Sequence, residues 1–62
     1  MTLRLIDFID KLKNINTYLN LYIEGNSVWN GPVCQIPKYY YNYIIDNIYI
    51  DKYDLFIEIM EN

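Results

Sequence analysis

Histidine and alanine are absent from this chain of 62 residues, and Cys34 is its only cysteine. A disulfide within the chain is therefore excluded, and so is a zinc site built from cysteine and histidine ligands. A chain this short buries only about 60% of its unfolded surface and is marginal alone, so we expect a second subunit to support it. We expect neither a metal nor a cofactor.

Positive charge and long apolar runs are also scarce. Eight acidic residues against five basic ones give a net charge of −3, which argues against nucleic acid as the main ligand because phosphate binding needs a basic surface. No apolar run approaches the roughly 20 residues that cross a bilayer. Charges at Arg4 and Asp7 interrupt the first apolar residues, unlike a signal peptide. We therefore expect a cytoplasmic protein with no membrane partner.

Isoleucine, asparagine and tyrosine are abundant, with eleven, eight and eight copies. Their codons are AT-rich, which indicates a gene from a low-GC genome. Six of the eight tyrosines lie within residues 36–53. Because tyrosine is large and flat and carries a hydroxyl that needs a partner, such a cluster is either the core of a small fold or a contact surface.

The first half of the chain predicts a helix followed by a hairpin. Apolar residues recur at helical spacing over residues 3–14, with Thr2 as N-cap and Asn14 as a stop. Those apolar residues are Leu5, Ile6, Phe8, Ile9, Leu12 and Ile15. Residues 17–24 alternate with period two, and Gly25-Asn26 predicts a tight turn into a second strand over 27–35. Gly31-Pro32 interrupts that strand, which is therefore an edge strand or a bulged one.

The second half predicts a short helix and another hairpin. Pro37 begins the helix, whose Tyr40 and Tyr41 pack into the core, and strands follow from Ile48 and Leu55. Residues 51–54 form the turn between them. The prediction is a single α+β domain over residues 1–62 with element order αββαββ. It has a four-stranded, mostly antiparallel sheet, one long N-terminal helix and one short central helix.

If both helices cover one face of the sheet, the other face is left with several aromatic residues. An exposed apolar patch of that kind marks an interface, and acidic neighbours suit a basic partner. We predict the partner-binding residues to be Tyr18, Tyr22, Trp29, Tyr39, Tyr49, Asp46, Asp51 and Asp54, with Phe56 a further candidate for this face. In the alternative, one helix covers each face and the aromatic residues are core. Base stacking is disfavoured by the acidity.

No catalytic motif is present in the sequence. The acidic residues are scattered, whereas glycosidase chemistry needs two facing carboxylates in a cleft. Cys34 has no histidine to activate it, and we interpret it as a small buried apolar residue. We therefore expect a protein that is not an enzyme and has no catalytic residues.

Four short patterns along the chain are Leu5-x-x-Phe8-Ile9-x-x-Leu12, Trp29-x-Gly31-x-Val33, Ile36-Pro37 and Leu55-x-Ile57-x-Ile59. In these patterns the chain resembles small accessory proteins of phages and prophages in low-GC bacteria. The group includes anti-CRISPR and other anti-defence proteins, so it implies stoichiometric binding that blocks a nucleic-acid-handling defence complex. The alternatives are a structural or regulatory homodimer whose interface is the aromatic sheet face and a small nucleic-acid binder.

Overall fold

A computed structural model describes residues 3–14, 16–52 and 54–61. It contains one helix, α1 (Leu5–Ile9), and four strands: β1 (Tyr18–Ile23), β2 (Asn26–Pro32), β3 (Ile44–Asp51) and β4 (Asp54–Met60). Two single-turn 3-10 helices, Val33–Gln35 and Lys38–Tyr40, lie in the crossover, which is our name for residues 33–43. The strands form one mixed sheet in the order β2-β1-β4-β3.

The sheet consists of two antiparallel hairpins joined along their inner strands. β1 pairs with β2 and β3 pairs with β4 in antiparallel fashion, whereas β1 and β4 run parallel. Each hairpin has a loop of two residues. Glu24 and Gly25 both have positive φ, as a tight hairpin turn requires, and Lys52 has a φ of 57°. The predicted turns are therefore present, the first one residue earlier than expected.

The core lies on one face of this sheet, which we call the covered face. Alternate residues of the inner strands point to it and pack against residues of α1 and the crossover. The buried residues are Leu5, Leu19, Leu21, Val33, Ile36, Tyr40, Ile57 and Ile59. Tyr40 is therefore core, as predicted, and Tyr41 packs half-buried against the same cluster. The opposite face, which no described helix covers, is the open face.

The predicted α+β fold with a long N-terminal helix is wrong, because the protein is mostly strand and α1 ends at Ile9. Arg4 is extended and bridges to Ile44, and the Ile45 N–H donates to the Leu3 carbonyl at 2.8 Å. The start of the predicted helix is thus drawn into strand pairing. A helix this short has little stability of its own, so these tertiary contacts decide its length.

The far end of the predicted helix is also remodelled. Asn14 Oδ1 accepts from the Asn16 N–H at 2.9 Å, and the Thr17 hydroxyl donates to the Asn14 carbonyl at 2.8 Å. Local side-chain bonds of this kind favour a turn over a helix. The predicted roles of Thr2 as N-cap and of Ile15 on the apolar face lie outside the described residues.

The predicted central helix is replaced by 3-10 turns. Its bonds join residues three apart, as from the Tyr40 N–H to the Pro37 carbonyl at 3.0 Å. The carbonyls of Tyr41 and Tyr43 accept instead from the N–H groups of Ile6 and Leu5. Because these carbonyls are used by the N-terminal segment, the chain leaves the turns at once and begins β3 at Ile44 rather than Ile48.

Candidate functional site

The candidate site is an aromatic groove on the open face, with a volume of about 420 Å³. It is lined by Tyr22, Gly25, Tyr49, Asp51, Phe56 and Glu58. Strand pairing places these residues together, because Tyr49 lies opposite Phe56 and Tyr22 lies opposite Glu58. The rings of Tyr22 and Phe56 have centroids 6.0 Å apart and are tilted by 49°. The floor of the groove is thus aromatic and comes from three adjacent strands.

Carboxylates form the polar part of the aromatic groove. Glu58 Oε2 accepts from the backbone N–H of Gly25 at 3.2 Å, so the β1–β2 turn holds this side chain beside Tyr22. Asp51 lies at the other end, directly opposite Asp54 in the last pair of the β3–β4 hairpin. Two like charges in one cross-strand pair repel each other. The groove therefore has acidic groups at both ends, and none of the described residues that line it is basic.

Tyr18 and Asn20 extend the open face beyond the groove. The Tyr18 hydroxyl donates to Asn30 Oδ1 at 3.0 Å, which ties β1 to β2 while leaving the side chain half exposed. Asn20 Nδ2 donates to the Leu55 carbonyl at 3.3 Å and links β1 to β4. These bonds tie β1 to both of its neighbouring strands beside the groove.

The structure brings five of the eight predicted site residues to the open face or its end and separates the others. Tyr18, Tyr22, Tyr49, Asp51 and Asp54 belong to the first group. Asp46 is exposed and forms the extra residue of a bulge between Ile45 and Asn47. Trp29 instead lies half-buried against the core, opposite Leu21 on the covered face. The prediction placed it on the far face because the sequence indicated a bulge only at Gly31-Pro32, whereas the extra residue of β2 is Val28, just before Trp29.

Tyr39 belongs to a second aromatic group, in the crossover. Its ring lies 4.5 Å from Tyr40 and 5.9 Å from Tyr43, and it is 68% exposed. The side chain of Tyr39, partial desolvation and the nearby Glu61 raise the pKa of Tyr43 to about 12. Burial, with a contribution from Tyr39, raises the pKa of Tyr40. Tyr40 is thus a core residue, whereas Tyr43 is half-buried beside the core and its hydroxyl donates to Glu61 Oε1 at 3.5 Å.

The sequence analysis left Glu58 and Gly25 out of the predicted site and gave Phe56 only as a further candidate for the aromatic face. The alternation in β4 does place Phe56 and Glu58 on the face opposite Leu55 and Ile57, which is a usable signal. What the alternation does not give is the strand order, and only the parallel pairing of β4 with β1 brings these residues beside Tyr22.

Other kinds of site find little support in the described part of the chain. Residues 3–14, 16–52 and 54–61 hold no group of three or more Cys, Asp or Glu side chains placed to bind a metal ion. Within the same ranges, no helix has the length and apolar character to cross a membrane. Cys34 is exposed, contrary to its interpretation as a small buried residue.

Comparison with known proteins identifies no relative of this chain. No family model matches it, and neither a curated protein nor a solved structure is similar to it. The resemblance to phage accessory proteins therefore stays a prediction.

Proposed function

We propose that the protein is a non-enzymatic binding module whose aromatic groove takes a basic segment of a protein partner. The observation that carries the proposal is the pairing of aromatic rings with carboxylates in one open groove. A lysine or arginine side chain gains from both, by cation–π attraction to Tyr22 and Phe56 and by charge-assisted bonds to Glu58 and Asp51.

The charge of the open face favours a different protein over a second copy of this one. A face-to-face dimer would bring the carboxylates of two grooves together, and like charges across an interface oppose association. The same charge opposes binding of phosphates, so direct nucleic-acid binding is disfavoured. The homodimer through the aromatic face and the nucleic-acid binder are therefore the weaker candidates.

In the cell, we propose that the protein is a stoichiometric inhibitor of a nucleic-acid-handling defence complex in the bacterial cytoplasm. Such complexes hold their nucleic acid in positively charged channels, and an acidic groove suits occupation of a channel of that kind. This step rests on the resemblance to phage accessory proteins and on the charge of the groove. It requires no cofactor.

The test is affinity capture from a lysate of a low-GC bacterium at low and moderate salt. The chain and two variants serve as bait. Tyr22→Thr removes a groove ring and keeps strand propensity, and Tyr18→Thr removes the same ring from the same face of the same strand outside the groove. We expect a specific partner that Tyr22→Thr loses by about tenfold or more and Tyr18→Thr retains, since buried aromatic contacts dominate interfaces.

The role of charge is tested with Asp51→Asn on the same partner. We expect weaker binding at low salt and a smaller difference at high salt, because salt screens charges that are not buried. Recovery of no specific partner, or equal loss with both tyrosine variants, would contradict the proposal.

A further inference from the structure

The outer edge of β3 offers an unpaired strand to a partner. The N-terminal segment covers its beginning, since Arg4 bridges to Ile44 and the Ile45 N–H donates to the Leu3 carbonyl. From residue 46 to residue 52, no described segment pairs with this edge. We call residues 46–52 the free edge.

The free edge carries three consecutive large apolar residues. Ile48, Tyr49 and Ile50 are 39%, 48% and 75% exposed. The bulge at Asp46 keeps Ile45, Ile48 and Ile50 on the covered face, because Ile48 lies opposite Ile57 and would point the other way in a regular strand. Yet the crossover and α1 do not extend far enough to cover Ile48 and Ile50.

The backbone of the free edge is also prepared for pairing. Asp51 and Asp54 close a hairpin with a two-residue loop, and such a closing pair is hydrogen-bonded in both directions. Hydrogen-bonded pairs then alternate along antiparallel strands. Tyr49 therefore directs its backbone groups towards β4, whereas Ile48 and Ile50 direct theirs outwards. A row of outward N–H and C=O groups is a template for another strand.

We propose that the free edge pairs antiparallel with the free edge of a second copy of this chain, with the two-fold axis at Tyr49. Tyr49 is the midpoint of residues 47–51, the part of β3 between the bulge and the turn, so this register pairs all of that part. Ile48 then lies opposite Ile50 of the second copy, and their outward backbone groups bond to each other. The two Tyr49 side chains meet on the open face as a close, non-hydrogen-bonded pair.

Charge and sterics select this register over its neighbours. It places Asp46 opposite Lys52 of the second copy, and the symmetry repeats this opposite-charge pair at the other end. If the register shifted by one residue, a residue whose N–H and C=O groups point outwards would lie opposite a residue whose groups point towards β4 of its own copy. The two residues could then not bond to each other. A shift by two residues towards Ile45 runs into the N-terminal segment. A shift by two residues the other way takes Ile48 out of its pair with Ile50 and sets it opposite Lys52, beyond the end of β3.

The dimer does not depend on the function proposed for the aromatic groove, although it extends that groove. Tyr49 lines the groove in each copy, so pairing at Tyr49 makes one continuous aromatic surface across two copies. An interface of this kind also supplies the support that a chain of this size needs. Because the two copies meet at their strand edges, the acidic groups of the two open faces lie side by side and do not face each other.

The first experiment measures the mass of the purified chain by sedimentation equilibrium over a range of micromolar concentrations. We expect twice the monomer mass of 7.6 kDa. Ile50→Lys should weaken the dimer by roughly a hundredfold or more, because each copy then places a charge in an apolar contact. Val28→Lys is the matched control, since Val28 is an exposed apolar residue of the other edge strand, and it should leave the dimer intact.

The second experiment tests the register by cross-linking. In a Cys34→Ser background, Tyr49→Cys should form a disulfide-linked dimer under mild oxidation, because paired residues at the axis have Cα atoms about 4.5 Å apart. Ile50→Cys in the same background should not, since each copy of that residue lies two positions from its symmetry mate. Neither sedimentation nor cross-linking requires a different protein as partner. A negative result in these experiments would therefore contradict the dimer without contradicting the function proposed for the aromatic groove.

The third experiment reverses the charge pair. Lys52→Asp should weaken the dimer by about tenfold, through two exposed ion pairs per dimer, and Asp46→Lys in addition should restore it. A monomer at every concentration would overturn the proposal, as would equal cross-linking at both positions. Loss of the dimer with Val28→Lys but not with Ile50→Lys would overturn it as well.

Discussion

The two hairpins are built alike, yet they differ in the outer strand that each presents to solvent. Both have a two-residue loop and a bulge, and both pair their inner strand with that of the other. In β2, Asn26, Ser27 and Asn30 are polar, and the strand ends in Gly31-Pro32, where proline cannot donate to a partner strand. In β3, three apolar residues follow one another. Outer-strand composition, rather than hairpin geometry, decides which edge is open to a partner.

The largest effect should come from the inner strands, where the hairpins are equivalent. Leu21 of β1 and Ile57 of β4 are both fully buried and lie opposite each other. Leu21→Ala and Ile57→Ala should each cost about 3 kcal/mol of unfolding free energy, since each leaves a cavity in the shared core. Urea denaturation of both variants measures this. If one variant alone lost less than about 1 kcal/mol of unfolding free energy, the two inner strands would not contribute equally to the core.

A smaller effect should distinguish the two glycines of the chain, both of which lie in the first hairpin. Gly31 in β2 has a φ of 153°, and an added Cβ would lie 2.9 Å from Cζ2 of Trp29. Gly31→Ala should cost about 2 kcal/mol, from backbone strain together with displacement of the indole.

Gly25→Ala is the matched control, because Gly25 has a φ of 81° but open space around its Cα. It should cost about 1 kcal/mol, from strain alone. Urea denaturation gives both values, and the emission of Trp29, the only tryptophan, reports whether its surroundings change. Equal losses of unfolding free energy in the two variants would show that the indole of Trp29 moves aside without loss of stability. In that case β2 is less tightly packed than the contact distance indicates.

The smallest effect should be an alkaline response at the base of the second hairpin. The folded pKa of Tyr43, about 12, is above the ordinary value of 10.0. The unfolded chain therefore loses this proton first, so the contribution is complete below about pH 10 and is lost as pH rises towards 12. Tyr43→Phe should flatten that decline. Denaturation midpoints at about pH 9 and pH 11 test it, and an unchanged slope would contradict it.

Much of the sheet could be predicted from local patterns. The alternation at Leu19 and Leu21, and again at Ile57 and Ile59, identified residues that are buried in the core. Gly25 and Lys52 lie in turns where the sequence indicated turns. These features depend on neighbours within a few residues, which is why one chain suffices to find them.

The helices and the composition of the site depend on distant contacts and were therefore missed. The spacing of Leu5, Phe8 and Leu12 suits a long helix, but pairing of Arg4 with Ile44 shortens it. Phe56 and Tyr22 meet only because β4 inserts beside β1, and no local pattern specifies that neighbour. Trp29 was assigned to the wrong face because one extra residue in a strand reverses the direction of every later side chain.

The parallel pairing of β1 with β4 also has a consequence for synthesis on the ribosome. The first hairpin can close as soon as it emerges, at roughly 5–20 residues added per second. The inner edge of β1, however, waits for β4, whose residues follow their β1 partners by 36 positions, as Leu55 follows Leu19. Until then Leu19 and Leu21 remain uncovered. The nascent chain is therefore most prone to misassociation in the interval before β4 appears, and folding should be slow for a chain of this length.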